Sequence, residues 1–156
     1  MTLDKYTIKA QEAVQAGVQA AQAAQQQSVE PIHLLKGILE KAQDITHFIF
    51  QKLGVNAQAI DMALQNELQH LPKVSGGQPY LSNDSVQVLN KAEELSQKMG
   101  DEFVSVEPIL LALMQGNHTA GRILKDAGCT EEGVRKAIES LRQGQQVKSQ
   151  SGDANY

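Results

Sequence analysis

Tryptophan is absent from the sequence, and Phe, Tyr and Cys are scarce, at three, three and one in 156 residues. A lone Cys129 closes no internal disulfide, and on an apolar stripe a free Cys serves as a small hydrophobe. Basic charge is also short. Lys and Arg total 14 against 18 Asp and Glu, a net charge of −4. No basic stripe exists to follow a phosphate backbone, so nucleic acid is not an expected partner. No apolar run approaches the ~18 residues of a membrane span, and no basic-then-apolar leader opens the chain. These absences lead us to expect a cytoplasmic protein with no membrane partner. Catalytic motifs are missing as well. There is no phosphate-binding Gly-x-x-x-x-Gly-Lys-Ser/Thr loop, no His-Glu-x-x-His and no Cys pair for zinc. No Gly-x-Ser-x-Gly elbow appears either. The four His residues (His33, His47, His70 and His118) share no metal spacing, and nothing sets a His beside Cys129. The stretch is therefore expected to be non-catalytic, to bind no metal and to need no cofactor of its own.

What remains is dominated by Ala, Gln and Leu, which favours helix. Tyr6, Ala10, Ala13, Val14, Gly17, Ala20, Ala21 and Ala24 recur at three- and four-residue steps, and Gln11, Gln15, Gln19 and Gln22 fall opposite them. The small residues of that stripe predict close approach to a neighbouring helix. Ser28 to Pro31 breaks the pattern, and Pro31 suits a first helical turn. A second helix follows with Ile32, Leu34, Leu35, Ile38 and Leu39, and a short third with Ile45, Phe48, Ile49 and Leu53. Gly54 stops the third as a left-handed C-cap. Asn56 caps a fourth, which carries Ile60, Ala63, Leu64 and Leu68. Only Leu71 to Pro79 reads as an interior linker.

The pattern then repeats. A shift of about 75 residues carries Thr7 onto Ser82, Val14 onto Leu89, Val29 onto Val104 and Leu35 onto Leu110. A shift of about 74 carries Ile49 onto Ile123, Gly54 onto Gly128 and Leu64 onto Ile138. The identical strings Val29-Glu30-Pro31 and Val106-Glu107-Pro108 suggest a shift of about 77, but it breaks the apolar match on both sides. The expected fold is all-α: two tandem four-helix repeats related by a pseudo-twofold axis. Residues 1–143 make the domain, with repeat one at about 1–71, a linker at 72–79 and repeat two at about 80–143. Residues 144–156 turn polar and read as a linker toward a further domain, with nothing to bury.

Two sets of polar residues stand out. Thr7 and Ser82 are hydroxyls at equivalent points of the two repeats, where a side-chain oxygen caps a helix. Asp101 and Glu107 flank Phe103-Val104-Ser105-Val106, and Glu107 falls in the first turn of the sixth helix, where its dipole favours a carboxylate. Capping and dipole effects account for all four. A second account has Thr7, Asp101 and Glu107 rimming a groove between the first and fifth helices, with Leu95 and Pro108 in its floor and Ser82 as a secondary polar site. Such a groove suits an extended peptide, held by sequence-tolerant apolar contact and a few polar groups. On that account Asp101 and Glu107 are surface residues, and their loss moves stability by less than about 1 kcal/mol.

The stretches LDKYTIKAQEAV, PIHLLKGIL, the KLG turn, LPKVSGG, YLSNDSVQVLNKAEE and GDEFVSVEPILLAL resemble the N-terminal Clp repeat domain of ClpB-type AAA+ disaggregase chaperones. The resemblance runs from Met1 to about Gly144. Protease-partner relatives of the ClpA and ClpC type tend to read Gly-His-x-Tyr-Ile-Gly-Thr-Glu near Asp101 and Phe103, so those residues resemble the disaggregase branch. The resemblance implies a non-catalytic module that contacts unfolded or aggregated protein. It implies two ATPase domains elsewhere, carrying ATP and Mg, in a homohexamer that cooperates with a DnaK-type chaperone. The family's polar positions fall here on Thr7, Asp101 and Glu107. Some relatives hold phosphorylated arginine with a hydroxyl and a glutamate. With Ile32 and Pro108 at two of the matching positions, a Ser82–Glu107 half-site is the most the resemblance implies. The alternatives are an adaptor-docking domain of a Clp protease unfoldase and a free-standing hydrolase, and the latter needs a nucleophile–base pair absent from the sequence.

Overall fold

The computed structural model describes residues 2–74 and 76–156, so Met1 and the linker residue Ser75 lie outside the described residues. Among the described residues eight α-helices follow one another: α1 (Ile8–Ala23), α2 (Pro31–Lys41), α3 (Gln43–Leu53), α4 (Ala57–Gln69), α5 (Asn83–Lys98), α6 (Val106–Gln115), α7 (Thr119–Asp126) and α8 (Glu131–Arg142). The helix signals read from sequence sit where expected. Pro31 opens α2, Asn56 accepts the Gln58 N–H at the head of α4, and Gly54 ends α3 at φ 68°, a conformation that costs glycine nothing.

Two short strands were not expected. β1 (Ser28–Val29) runs parallel to β2 (Tyr80–Leu81), with Val29 opposite Leu81. Tyr6 forms a parallel bridge to Val104. These two pairings are images of each other under a shift of 75, which carries Tyr6 onto Leu81 and Val29 onto Val104. The backbone bonds obey the same operation: Thr7 N–H donates to Val104 O at 2.9 Å and Ser82 N–H donates to Val29 O at 3.1 Å. The pseudo-twofold axis is thus written into the hydrogen bonding, and the 77-residue register is excluded. The helices comply, with α3 packed on α8 and α4 packed on α7.

The core is built around α2 and α6, which touch across the axis. Every residue of α6 from Val106 to Met114 is buried. The alanine face of α1 lies against α2 so closely that a Cβ on Gly17 would stand 2.6 Å from the His33 carbonyl oxygen. Cys129 is buried and its thiol is pushed up to about 11 by desolvation, so it fills space and does not ionise at neutral pH.

After α8 the chain does not leave the domain. Gln143 takes a left-handed turn at φ 51°, and residues 144–156 fold back, ending in a 3₁₀ turn at Gly152–Asn155. Val147 is fully buried and Asp153 nearly so. The expectation that this polar stretch has nothing to bury is therefore corrected. One aliphatic side chain, with backbone and side-chain hydrogen bonds, docks it.

Candidate functional site

The Tyr6–Val104 bridge brings the starts of α1 and α6 side by side. Thr7 is the N-cap of α1, and its hydroxyl oxygen accepts the Ala10 N–H at 3.1 Å. Ser105 is the N-cap residue of α6, with Glu107 and Pro108 in the first turn. Glu107 is completely buried, and the carboxylate of Asp101 is fully covered as well. The expectation that Asp101 and Glu107 rim a groove as surface residues is therefore corrected.

Their burial is compensated by a residue that sequence reasoning missed. Arg142, at the end of α8, reaches both acids. Its Nη1 donates to the two Asp101 carboxylate oxygens at 3.0 and 2.8 Å, and its Nε donates to Glu107 Oε1 at 3.0 Å. Its Nη2 donates to the Ser105 hydroxyl at 2.9 Å. Burial works against the guanidinium charge, but Glu107, Tyr156 and Asp101 outweigh it and hold Arg142 protonated more firmly than usual. Two carboxylates share one cation, and Glu107 Oε2 makes no hydrogen bond among the described residues. Arg142 lies 35 residues from Glu107 and 41 from Asp101 in the chain. The signal available in the sequence was a basic residue in the last turn of a helix, which its dipole already explains.

The folded-back tail runs over this region as a strap, irregular at residues 145–148 and turned beyond them. Val147 N–H donates to Asp101 Oδ1 at 2.9 Å, and the Val147 carbonyl accepts the Glu102 N–H at 2.8 Å. Further along, the Gln150 carbonyl accepts the Ile8 N–H at 2.8 Å. The Thr7 hydroxyl donates to Asp153 Oδ2 at 2.7 Å, and the Tyr156 phenol donates to Glu107 Oε1. Burial raises the Asp153 pKa above the usual carboxylate range, against the pull of the Thr7 hydrogen bond and Lys9. The Tyr156 phenol is likewise raised, by burial and by Glu107.

Of the residues singled out from sequence, Thr7, Asp101 and Glu107 contact one tail, and Pro108 is buried beside Glu107. Leu95 lies elsewhere. It is buried in α5 and lines an open cleft of about 500 Å³ between α5, α8 and residues 144–146, so it does not floor a groove between α1 and α5. Ser82 belongs to the symmetry-related end. It accepts the Ser85 N–H and neighbours the strand before α2, whereas Glu107 neighbours Thr7, so a Ser82–Glu107 half-site is not assembled. An open cleft of about 730 Å³ lies between α2, α3 and α4 and is lined by Lys36, Phe50 and Asp61 among others. His33 is structural: its Nδ1 accepts the Glu30 N–H at 2.9 Å, and burial lowers its pKa toward the neutral ring which that role requires. Among the described residues no cluster of metal-ligating side chains forms, and no helix is long and apolar enough to cross a membrane.

Residues 5–127 match the family described as Clp repeat (R) N-terminal domain. The ClpB chaperone protein of Bacteroides thetaiotaomicron is 51% identical over 156 residues, which is 100% of this chain and 18% of that protein. The chain therefore spans under a fifth of the length of the curated relatives it matches. Among solved structures, the Hsp104 N-terminal domain of Candida albicans aligns with a TM-score of 0.82 at 21% identity, covering 96% of this chain and 99% of that one. The N-terminal domain of ClpD from Arabidopsis thaliana aligns with a TM-score of 0.68 at 21% identity, covering 90% and 96%.

Proposed function

Since the chain belongs to the Clp repeat N-terminal domain family, we propose that it is the substrate-recruiting module of an ATP-driven disaggregase and contacts unfolded or aggregated polypeptide. One observation supports this above the others: the face at the starts of α1 and α6 already holds a polypeptide segment, the chain's own tail. It does so mostly through backbone groups, with the Ile8 and Glu102 amides facing the Gln150 and Val147 carbonyls. Binding of that kind is tolerant of sequence, as a module meeting many unfolded proteins requires. Thr7, Asp101 and Glu107 supply the polar anchors, with Pro108 beside them. Leu95 is buried beside a separate cleft.

On this reading the module itself is non-catalytic and binds no ATP, Mg or metal. It works in the cytoplasm ahead of ATPase rings in a homohexamer, in cooperation with a DnaK-type chaperone. Six copies on one ring raise the effective concentration of each contact, so a weak single site is enough. The likeness to the ClpD domain carries the fold alone and lends nothing to the adaptor-docking alternative. The reading is tested by calorimetric titration of the chain with a carboxymethylated, permanently unfolded protein. Saturable, weak binding is expected, together with no specific heat from Mg-ATP. Absence of binding to the unfolded protein, or a saturable nucleotide site, would contradict it.

A further inference from the structure

We propose that residues Val147–Tyr156 are an intramolecular occupant of the polypeptide-binding face at the starts of α1 and α6, and that a substrate segment gains this face by displacing them. The inference rests on the function proposed above and adds how access to the site is controlled.

Four features of the strap point this way. It meets the domain at both helix starts and touches both sides of the Tyr6–Val104 bridge, so it covers the face and does not merely border it. Its affinity is modest in kind. Val147 is the one branched aliphatic side chain it buries, and the remaining contacts are polar. A segment of that make-up is held by proximity more than by contact strength, since a tether of a few residues from α8 gives a high effective concentration. It also buries a carboxylate at Asp153, which costs free energy on docking. Finally, the groups it satisfies are generic. Asp101 accepts a backbone N–H, the Glu102 and Ile8 amides donate to backbone carbonyls, and the Thr7 hydroxyl and Glu107 meet one polar side chain each. Another polypeptide that follows this path offers the same backbone groups, and an apolar residue, an acceptor for the Thr7 hydroxyl and a hydroxyl-bearing aromatic reproduce the rest. The strap and the substrate are alternative ligands of one surface.

The test uses the full chain with Val147→Asp, which places a charge where the strap is most buried. Hydrogen exchange then reads the amides of Ile8 and Glu102, whose acceptors belong to the strap, against amides inside α2 and α6, whose acceptors do not. The proposal expects faster exchange at Ile8 and Glu102, and at Phe103, whose N–H also faces the Val147 carbonyl at 3.4 Å, with α2 and α6 unchanged. It also expects about tenfold tighter binding of the carboxymethylated unfolded protein, the factor by which a strap docked nine-tenths of the time lowers apparent affinity. A synthetic peptide of residues 145–156 should compete with that probe on the variant. In the parent chain, saturation with the probe should speed exchange of the Val147 amide. Equal affinity of parent and variant, or a probe-bound parent whose Val147 amide stays protected, would overturn the proposal while leaving the substrate-recruiting reading standing. Absence of probe binding to both chains would remove the reading and the proposal together. If Val147→Asp loses its helical circular dichroism, Val147→Ala keeps every backbone bond and makes the same comparison with a smaller expected gain of the same sign.

Discussion

Arg142 joins the last turn of α8 to the loop before α6 and to α6 itself through Asp101, Ser105 and Glu107. Removing the cation leaves two covered carboxylates without a counter-charge. Breaking a buried ion pair from one side costs about 3–5 kcal/mol, so Arg142→Ala should lower the melting temperature by on the order of 10 °C. A shift under about 2 °C would mean that the cluster is open to water in solution. Asp101→Ala and Glu107→Ala should likewise destabilise well beyond the 1 kcal/mol expected of surface residues. Asp153 gives a pH dependence of the strap. Its docked pKa is raised by burial and further by Asp44 of α3, against the Thr7 hydrogen bond and Lys9 of α1. A raised carboxyl favours docking fully below the usual carboxylate pKa, and that advantage is lost as pH climbs through the docked value. Protection of the Ile8 and Glu102 amides, corrected for intrinsic exchange, should therefore fall with rising pH above the carboxylate range. Asp153→Asn, which retains an acceptor for the Thr7 hydroxyl, should flatten the profile and leave the strap better docked at neutral pH. An unchanged profile in that variant would rule out Asp153 as the titrating group. Thr7, Asp101 and Glu107 stood out in the sequence, but their pairing with Asp153 and Arg142 did not, because these partners come together only after the repeats close on each other.

At the scale of the elements, most was legible. Helix ends are set by local chemistry, and Pro31, Gly54, Asn56, Thr7 and Ser82 each act within a few residues of themselves. The small-residue stripe of α1 rightly announced close packing. Gly37 of α2 completes it, since a Cβ there would collide with the Ala13 carbonyl oxygen. Two effects of Gly37→Ala oppose each other. Helix propensity improves by up to about 1 kcal/mol, whereas overpacking costs typically 1–3 kcal/mol, and backbone yields less readily than a side chain. The collision should win, and thermal melts should place Gly37→Ala below the parent. A higher melting temperature would mean that α1 and α2 stand further apart in solution. The short parallel strands escaped notice because two residues offer no period to detect, and their register is visible only through the symmetry they share with Tyr6 and Val104.

For the whole molecule, the repeat register determined the architecture. Positions 75 apart make the same contacts with each other's halves, down to the backbone bonds of Thr7 and Ser82. The two ends, equivalent by this symmetry, carry different residues. The end at Thr7 and Glu107 is where α8 delivers Arg142 and the strap, while the opposite end has Ser82 beside β1, and Ile32 where its counterpart has Glu107. The strap itself could not be foreseen from composition, since a mostly polar stretch docks here by backbone pairing around one valine. The central claim, that polypeptide is bound at the starts of α1 and α6, is tested most directly by amide chemical shifts of the chain titrated with the carboxymethylated unfolded protein. The account predicts that the shifted amides cluster at residues 4–8, 101–107 and 147–156. Shifts centred on the cleft of Lys36, Phe50 and Asp61 between α2, α3 and α4, with those three stretches unmoved, would contradict it.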